Sequence, residues 1–106
     1  MTKGYWIGHV DVHDVEGYKS YLTANAEVFS KYGARFVVRG GTHIVKEGTG
    51  RARTVVIEFK DYATALACYD SAEYADVKAK RVPYSAADLL IIEGYDGAQP
   101  KMSGAI

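Results

Sequence analysis

The chain has 106 residues, 13 basic against 13 acidic side chains, and an ordinary 48% of hydrophobic residues. That length accommodates one domain and one core, with no room for a separate cofactor domain, and the balanced charge leaves no field to gather nucleic acid or an anionic membrane surface. No apolar run approaches the roughly 20 residues that span a bilayer, and Met1-Thr2-Lys3-Gly4 enters a strand without a signal-peptide segment, so a cytoplasmic protein with neither nucleic acid nor membrane as partner is expected.

Tyr5 to Val12 alternates and reads as a first strand. Asp14 then offers an N-cap, and Val15, Tyr18, Leu22, Ala26, Phe29 and Tyr32 recur at helical spacing as one apolar stripe, ended by Gly33 at a left-handed C-cap position. Ala34 to Arg39 reads as a second strand, broken by Gly40-Gly41 and resuming from His43 to Lys46. Arg53 to Lys60 is the third. Asp61 caps a short helix carrying Tyr62, Leu66 and Tyr69. Ser71 caps a further helical stretch through Glu73, Tyr74, Val77 and Arg81, which Pro83 ends. The lone Cys68 is read as a packed helix residue. Asp88 to Tyr95 is the last strand, and the domain is taken as residues 1–95, with 96–106 as a flexible tail rich in small residues.

The order strand, helix, strand, strand, helix, strand is that of the ferredoxin-like α+β fold, an antiparallel sheet with its helices on one face. Both faces of several strands are apolar, so the face away from the helices needs a second cover, and a second copy of the chain in a homodimer is the simplest one. Nine tyrosines and one tryptophan fit such an interface, or a ligand pocket, because each carries an apolar body and a polar tip.

Two strands run apolar into a glutamate, Val55-Val56-Ile57-Glu58 and Leu90-Ile91-Ile92-Glu93. Both glutamates fix the open face, and alternation assigns that face Thr54, Val56, Glu58 and Lys60 on strand three, and Leu89, Ile91, Glu93 and Tyr95 on strand four. It receives Tyr5, Ile7, His9, Asp11 and His13 from strand one, and Arg35, Val37 and Arg39 from strand two. The fold places strand one between strands three and four, which would flank His9 with Glu58 and Glu93. A histidine between carboxylates is a candidate general base, so His9, Glu58 and Glu93 are the candidate catalytic residues. Arg35 and Arg39 could hold an anionic substrate, and Tyr5 and Tyr69 could offer hydroxyls to a pocket on this face. The competing reading is that Glu58, Glu93 and the arginines are ion pairs pinning two subunits. His9-Val10-Asp11-Val12-His13 has metal-ligand types on one strand face, but Asp and His near a strand end are ordinary turn chemistry, so neither metal nor cofactor is assigned.

Gly4-Tyr5-Trp6-Ile7, Val10-Asp11-Val12, Tyr32-Gly33-Ala34-Arg35-Phe36, Arg39-Gly40-Gly41, Val56-Ile57-Glu58-Phe59, Tyr69-Asp70-Ser71-Ala72-Glu73-Tyr74 and Glu93-Gly94 together resemble the bacterial family known as domain of unknown function 1330, from about Gly4 to Tyr95. The resemblance implies a dimeric α+β barrel, two ferredoxin-like sheets closing face to face. Its wider superfamily includes cofactor-independent monooxygenases, isomerases and heme-dependent enzymes. The expectation is a small-molecule enzyme of proton-transfer or oxygenation type. The alternative is a non-catalytic homodimeric module that binds a small organic acid or aromatic compound.

Overall fold

A computed structural model describes residues 2–100. Strand β1 (Gly4–Val12) leads into helix α1 (Val15–Lys31), then β2 (Arg35–Arg39) and β3 (Arg53–Phe59). Helices α2 (Tyr62–Asp70) and α3 (Ala72–Lys78) and a 3-10 turn (Val82–Tyr84) precede β4 (Ser85–Glu93). The sheet order is β2-β3-β1-β4 with every pair antiparallel, the ferredoxin-like arrangement.

The helices start where their caps require. Asp14 Oδ1 accepts from Gly17 N at 3.0 Å, Asp61 Oδ1 from Thr64 N at 2.7 Å, and Ser71 Oγ from Tyr74 N at 3.1 Å, each satisfying an orphan first-turn donor. Helix α1 stops at Gly33, whose φ of +68° is open to glycine at little steric cost.

The core lies between the sheet and the helices, and Trp6 is its hub. Its ring centroid sits 5.3 Å from that of Phe29, 5.4 Å from Phe59, 5.6 Å from Tyr69 and 4.9 Å from Tyr74, and its indole N–H donates to the Ala65 carbonyl at 2.8 Å. Burying a ring of that size contributes roughly 5 kcal/mol as an upper figure. Cys68 packs into the same core, where burial pushes its thiol up to about 12, so it is an inert packing residue as its sequence context implies.

Four details depart from expectation. The buried face of α1 is Tyr18, Tyr21, Asn25, Val28 and Phe29, while Val15, Leu22 and Ala26 are exposed. The stripe is thus rotated toward Tyr21, Asn25 and Val28, away from Val15, Leu22 and Ala26. Strand β2 carries a bulge between Phe36 and Val38, which pairs Val38 with Val56 on the open face and Arg39 with Val55 on the helix face. No strand resumes at His43. Residues 40–52 form a loop tied down by Asp11, which accepts from Ala52 N at 2.8 Å and from Arg51 at 2.9 Å.

The fourth departure inverts β4. Glu93 pairs with Gly4 and Ile91 with Trp6, so Glu93, Ile91 and Leu89 belong to the helix-side alternation, and Asp88, Leu90 and Ile92 to the open face. A glutamate marks the open face only where the other face is covered. Glu93 ends an edge strand and is solvated on either side. Of the expected tail, residues 96–100 have no regular structure, with Tyr95 donating to the Ala98 carbonyl at 2.6 Å, and the remainder lies outside the described residues.

Candidate functional site

A cleft opens on the helix side of the sheet, between α1 and the middle of β1, β3 and β4. Its empty space is about 570 Å³, the open mouth included. Trp6, Phe29, Phe36, Val55, Ile57 and Leu89 give it apolar walls, and Leu22 sits on the lip, which accounts for that residue's exposure on α1. Gly8 forms the floor. A Cβ built there would meet only Leu89 Cδ1, at 3.8 Å, so the missing side chain leaves space instead of relieving a clash.

Six polar side chains reach this apolar space: Tyr18, Tyr21, Asn25, Arg39, Arg53 and Arg81. Asn25 is 4% exposed and Arg81 8%, the two buried polar or charged residues among those described. No side-chain hydrogen bond is made by Asn25 among the described residues, and its amide is not sealed from solvent, so it opens onto the cleft. Arg81 Nε donates to the Tyr74 hydroxyl at 3.4 Å, Tyr74 and Tyr21 share a hydroxyl contact of 2.9 Å, and the guanidinium carbon lies 5.7 Å from the Tyr21 ring centroid.

No aspartate or glutamate lines the cleft. Burial works against the charge on Arg81, but the hydroxyls of Tyr74, Tyr21 and Tyr69 outweigh it and hold its pKa above the ordinary value, so it is a cation at any working pH. Burial, then the neighbouring phenols, raise Tyr21. Burial raises Tyr18 against the pull of Arg81 and Arg53. Both phenols are therefore proton-bearing donors at neutral pH. The chemistry on offer is an apolar slot with phenol, amide and guanidinium donors and no carboxylate or imidazole base.

The expected site residues fall into separate groups. On the open face Tyr5 donates to Glu58 Oε2 at 3.3 Å, and Arg35 Nε approaches Glu58 Oε1 at 3.4 Å. Partial burial, then Glu58, raise the Tyr5 phenol. His9 sits four residues further along β1, about 13 Å from Tyr5 at the strand's rise. It pairs with Thr54 and Asp88, and its Nδ1 lies 3.1 Å from Thr54 Oγ1. Glu93 accepts from the Thr2 hydroxyl at 3.1 Å, on the opposite alternation.

The expected flanking of His9 by Glu58 and Glu93 is thus corrected. Strand adjacency held, but the antiparallel register sets Glu58 opposite Tyr5 and Glu93 opposite Gly4. The open face does carry a polar pocket whose empty space, its mouth included, is about 590 Å³, as large as the cleft, built from His9, Thr54, Arg51 and Asp88 with His43 and Glu47 of the loop. Arg39, carried over by the β2 bulge, lines the helix-side cleft instead, its guanidinium 4.1 Å from the Phe36 ring centroid. Tyr69 packs on Trp6 and borders a second depression that shares Arg81, Ala87 and Leu89 with the cleft.

Asn25, Arg81, Tyr18, Tyr21 and Gly8 were not among the expected site residues. The signal for Asn25 was its place three and four residues from Val28 and Tyr21 on one helical face, and for Arg81 its place on the Tyr74–Val77 face. Gly8 gave none, because its role depends on what lies opposite.

The family described as Domain of unknown function (DUF1330) matches residues 3–95. Among solved structures, RPA0582, a protein of unknown function from Rhodopseudomonas palustris, superposes with a TM-score of 0.70 at 14% identity, over 91% of this chain and 85% of that one. SnoaB, a cofactor-independent oxygenase from Streptomyces nogalater, does so with a TM-score of 0.61 at 10% identity, over 96% of this chain and 98% of its own. A dimeric ferredoxin-like protein of unknown function from Thermobifida fusca gives 0.54 at 13% identity, over 86% and 92%. At such identities the likeness is one of fold. No curated protein matches the chain.

Proposed function

We propose, for a chain that belongs to the DUF1330 family and folds as a ferredoxin-like α+β domain, a small-molecule enzyme that works in the cleft between α1 and the sheet. The observation that carries this is the pairing of an apolar slot with two largely buried polar side chains, Asn25 and Arg81, whose unbonded polar atoms stay open to the slot and are not sealed in the core. The fold shared with a cofactor-independent oxygenase is compatible with oxygenation or proton transfer. In this slot the donors would orient the substrate and stabilise oxyanion charge on it as that charge develops. Burial keeps the protons on Tyr18 and Tyr21, so they donate hydrogen bonds and do not transfer protons, and no group in the slot is suited to take a proton at neutral pH; the substrate must therefore itself be acidic and lose its proton to water.

The chain acts as a homodimer in this reading. The open face exposes Val38, Leu90 and Ile92 beside the half-buried Ile7 and Val56, and the Tyr5–Glu58–Arg35 group sits among them as the polar part of the contact between two sheets. His9 then belongs to the open-face pocket at the edge of that contact, and Glu93 to the strand end.

The absence of a carboxylate or imidazole base in the slot favours one second reading, a module that binds the same compound without turning it over. A panel of acidic phenols, β-dicarbonyl compounds and small aromatic acids, followed by loss of the compound and uptake of oxygen, separates the readings. Turnover that is lost in Gly8→Val and kept in Glu58→Gln supports the enzyme in the cleft. Turnover lost in Glu58→Gln and kept in Gly8→Val would move the chemistry to the open face. Saturable binding with no turnover of any compound would leave the binding module.

A further inference from the structure

We infer that the cleft takes a small organic oxyanion carried on a flat apolar body, with the Arg81 guanidinium as its counterion. The inference rests on the cleft being the ligand site and adds the charge and shape of what enters it. Arg81 is a buried cation with no carboxylate within ion-pair reach among the described residues, although Lys19, Lys31 and Arg35 each have one and Arg51 has two. A guanidinium has five N–H donors, and the structure gives this one a single phenol oxygen at 3.4 Å and a tyrosine ring. None of its nitrogens is sealed from solvent without a partner, so the unbonded N–H groups open onto the cleft, where a ligand oxyanion can complete the shell more strongly than a neutral group.

The cleft supplies the place for that partner. Arg39 and Arg53 add positive charge at its rim, and neither is paired with an acidic side chain among the described residues. Asn25, with no side-chain partner of its own, offers amide donors on the α1 wall. The remaining walls are Trp6, Phe29 and Phe36 with Val55, Ile57 and Leu89, apolar surface that suits a ring and gives nothing to a fully hydrated inorganic ion. A neutral ligand would fill the walls and leave the charge as it is. A planar carboxylate or phenolate answers both, and it matches the two-pronged donor geometry of a guanidinium.

Benzoate, benzamide and inorganic phosphate are the probes that test this. The chain has one tryptophan, and Trp6 lines the cleft, so its indole resonance in nitrogen-15 correlation spectra reports occupancy in the full-length protein. Benzoate should shift that resonance saturably and bind about ten- to a hundredfold more tightly than benzamide, the range expected for a charge-assisted pair. Arg81→Met should remove that preference while benzamide binding stays, and Arg81→Lys should retain part of it. Equal binding of benzoate and benzamide would overturn the oxyanion and leave the cleft standing as the site. Phosphate binding more tightly than benzoate would overturn the flat apolar body. Benzoate shifts confined to open-face residues around His9 and Glu58 would overturn both this inference and the site on which it rests.

Discussion

Arg81 Nε lies 3.4 Å from the hydroxyl of Tyr74, and that hydroxyl lies 2.9 Å from the hydroxyl of Tyr21. A cation and two phenols are thereby gathered inside what is otherwise an aromatic core, between the end of α3 and the middle of α1. Tyr74 is fully buried and serves both neighbours. Tyr74→Phe should therefore cost about 1–3 kcal/mol, since it strands the Tyr21 hydroxyl and removes the one hydrogen bond to Arg81. Urea denaturation measures it, and a loss below about 0.5 kcal/mol would show that these contacts carry little.

Arg81 itself should behave in the opposite way. A buried cation without a counterion contributes little to the empty protein, so Arg81→Met is expected to change unfolding free energy by less than about 1 kcal/mol or to raise it, a stability given up for binding. A loss of 3 kcal/mol or more in the same urea experiment would make Arg81 a structural residue.

The open sheet face predicts the assembly. Light scattering of the wild-type chain should give a mass of two copies of the 11.6 kDa protein at micromolar concentration, and Leu90→Asp with Ile92→Lys should give one. Those side chains point away from the cleft, so each domain should keep its helical circular dichroism. A wild-type mass of a single chain throughout that range would contradict the proposed dimer.

Acid should release the 40–52 loop. The Ala52 amide, and then the Arg51 guanidinium, hold the Asp11 carboxyl below the ordinary carboxylate range. A depressed folded-state pKa contributes stability above the unfolded value of about 3.9 and loses it as pH falls through the folded value. The melting temperature of the wild type should fall more steeply than that of Asp11→Ala below about pH 4, and the two should run parallel from pH 5 to 7. Curves parallel through the acid range would show that Asp11 does not clamp the loop.

How far the sequence could be read depended on whether a feature is local. Caps at Asp14, Asp61 and Ser71 and the stop at Gly33 are encoded within a few residues and stand as expected, as does the strand order that follows from the succession of elements. The sides of β1 and β3 were legible because alternation on a covered central strand has one solution. On β4 it has two, and Glu93, solvated at the strand end, selected the wrong one. On β2 a single bulge reversed Arg39, which no alternation can foresee. The partners of His9 needed the register itself, which shifts every cross-strand neighbour by the offset between strands. Asn25 and Arg81 were visible as polar residues at buried helical positions, but their importance appears only once the sheet is seen to offer them no partner.

The most direct test of the central claim, that the cleft between α1 and the sheet holds the ligand, is a thermal-shift screen of small metabolites run in parallel on the wild type, Gly8→Ala and Gly8→Val. Both substitutions project into the empty floor of the cleft, and alanine at this position fits without a clash. A compound at a hundred times its dissociation constant stabilises the folded state by about 2.7 kcal/mol, which for a domain of this size raises the melting temperature by roughly 10 °C or more. The expected result is a shift that shrinks in Gly8→Ala and vanishes in Gly8→Val while both variants melt cooperatively. An undiminished shift in Gly8→Val, abolished instead by a substitution at Glu58 or His9, would place the ligand on the other face of the sheet.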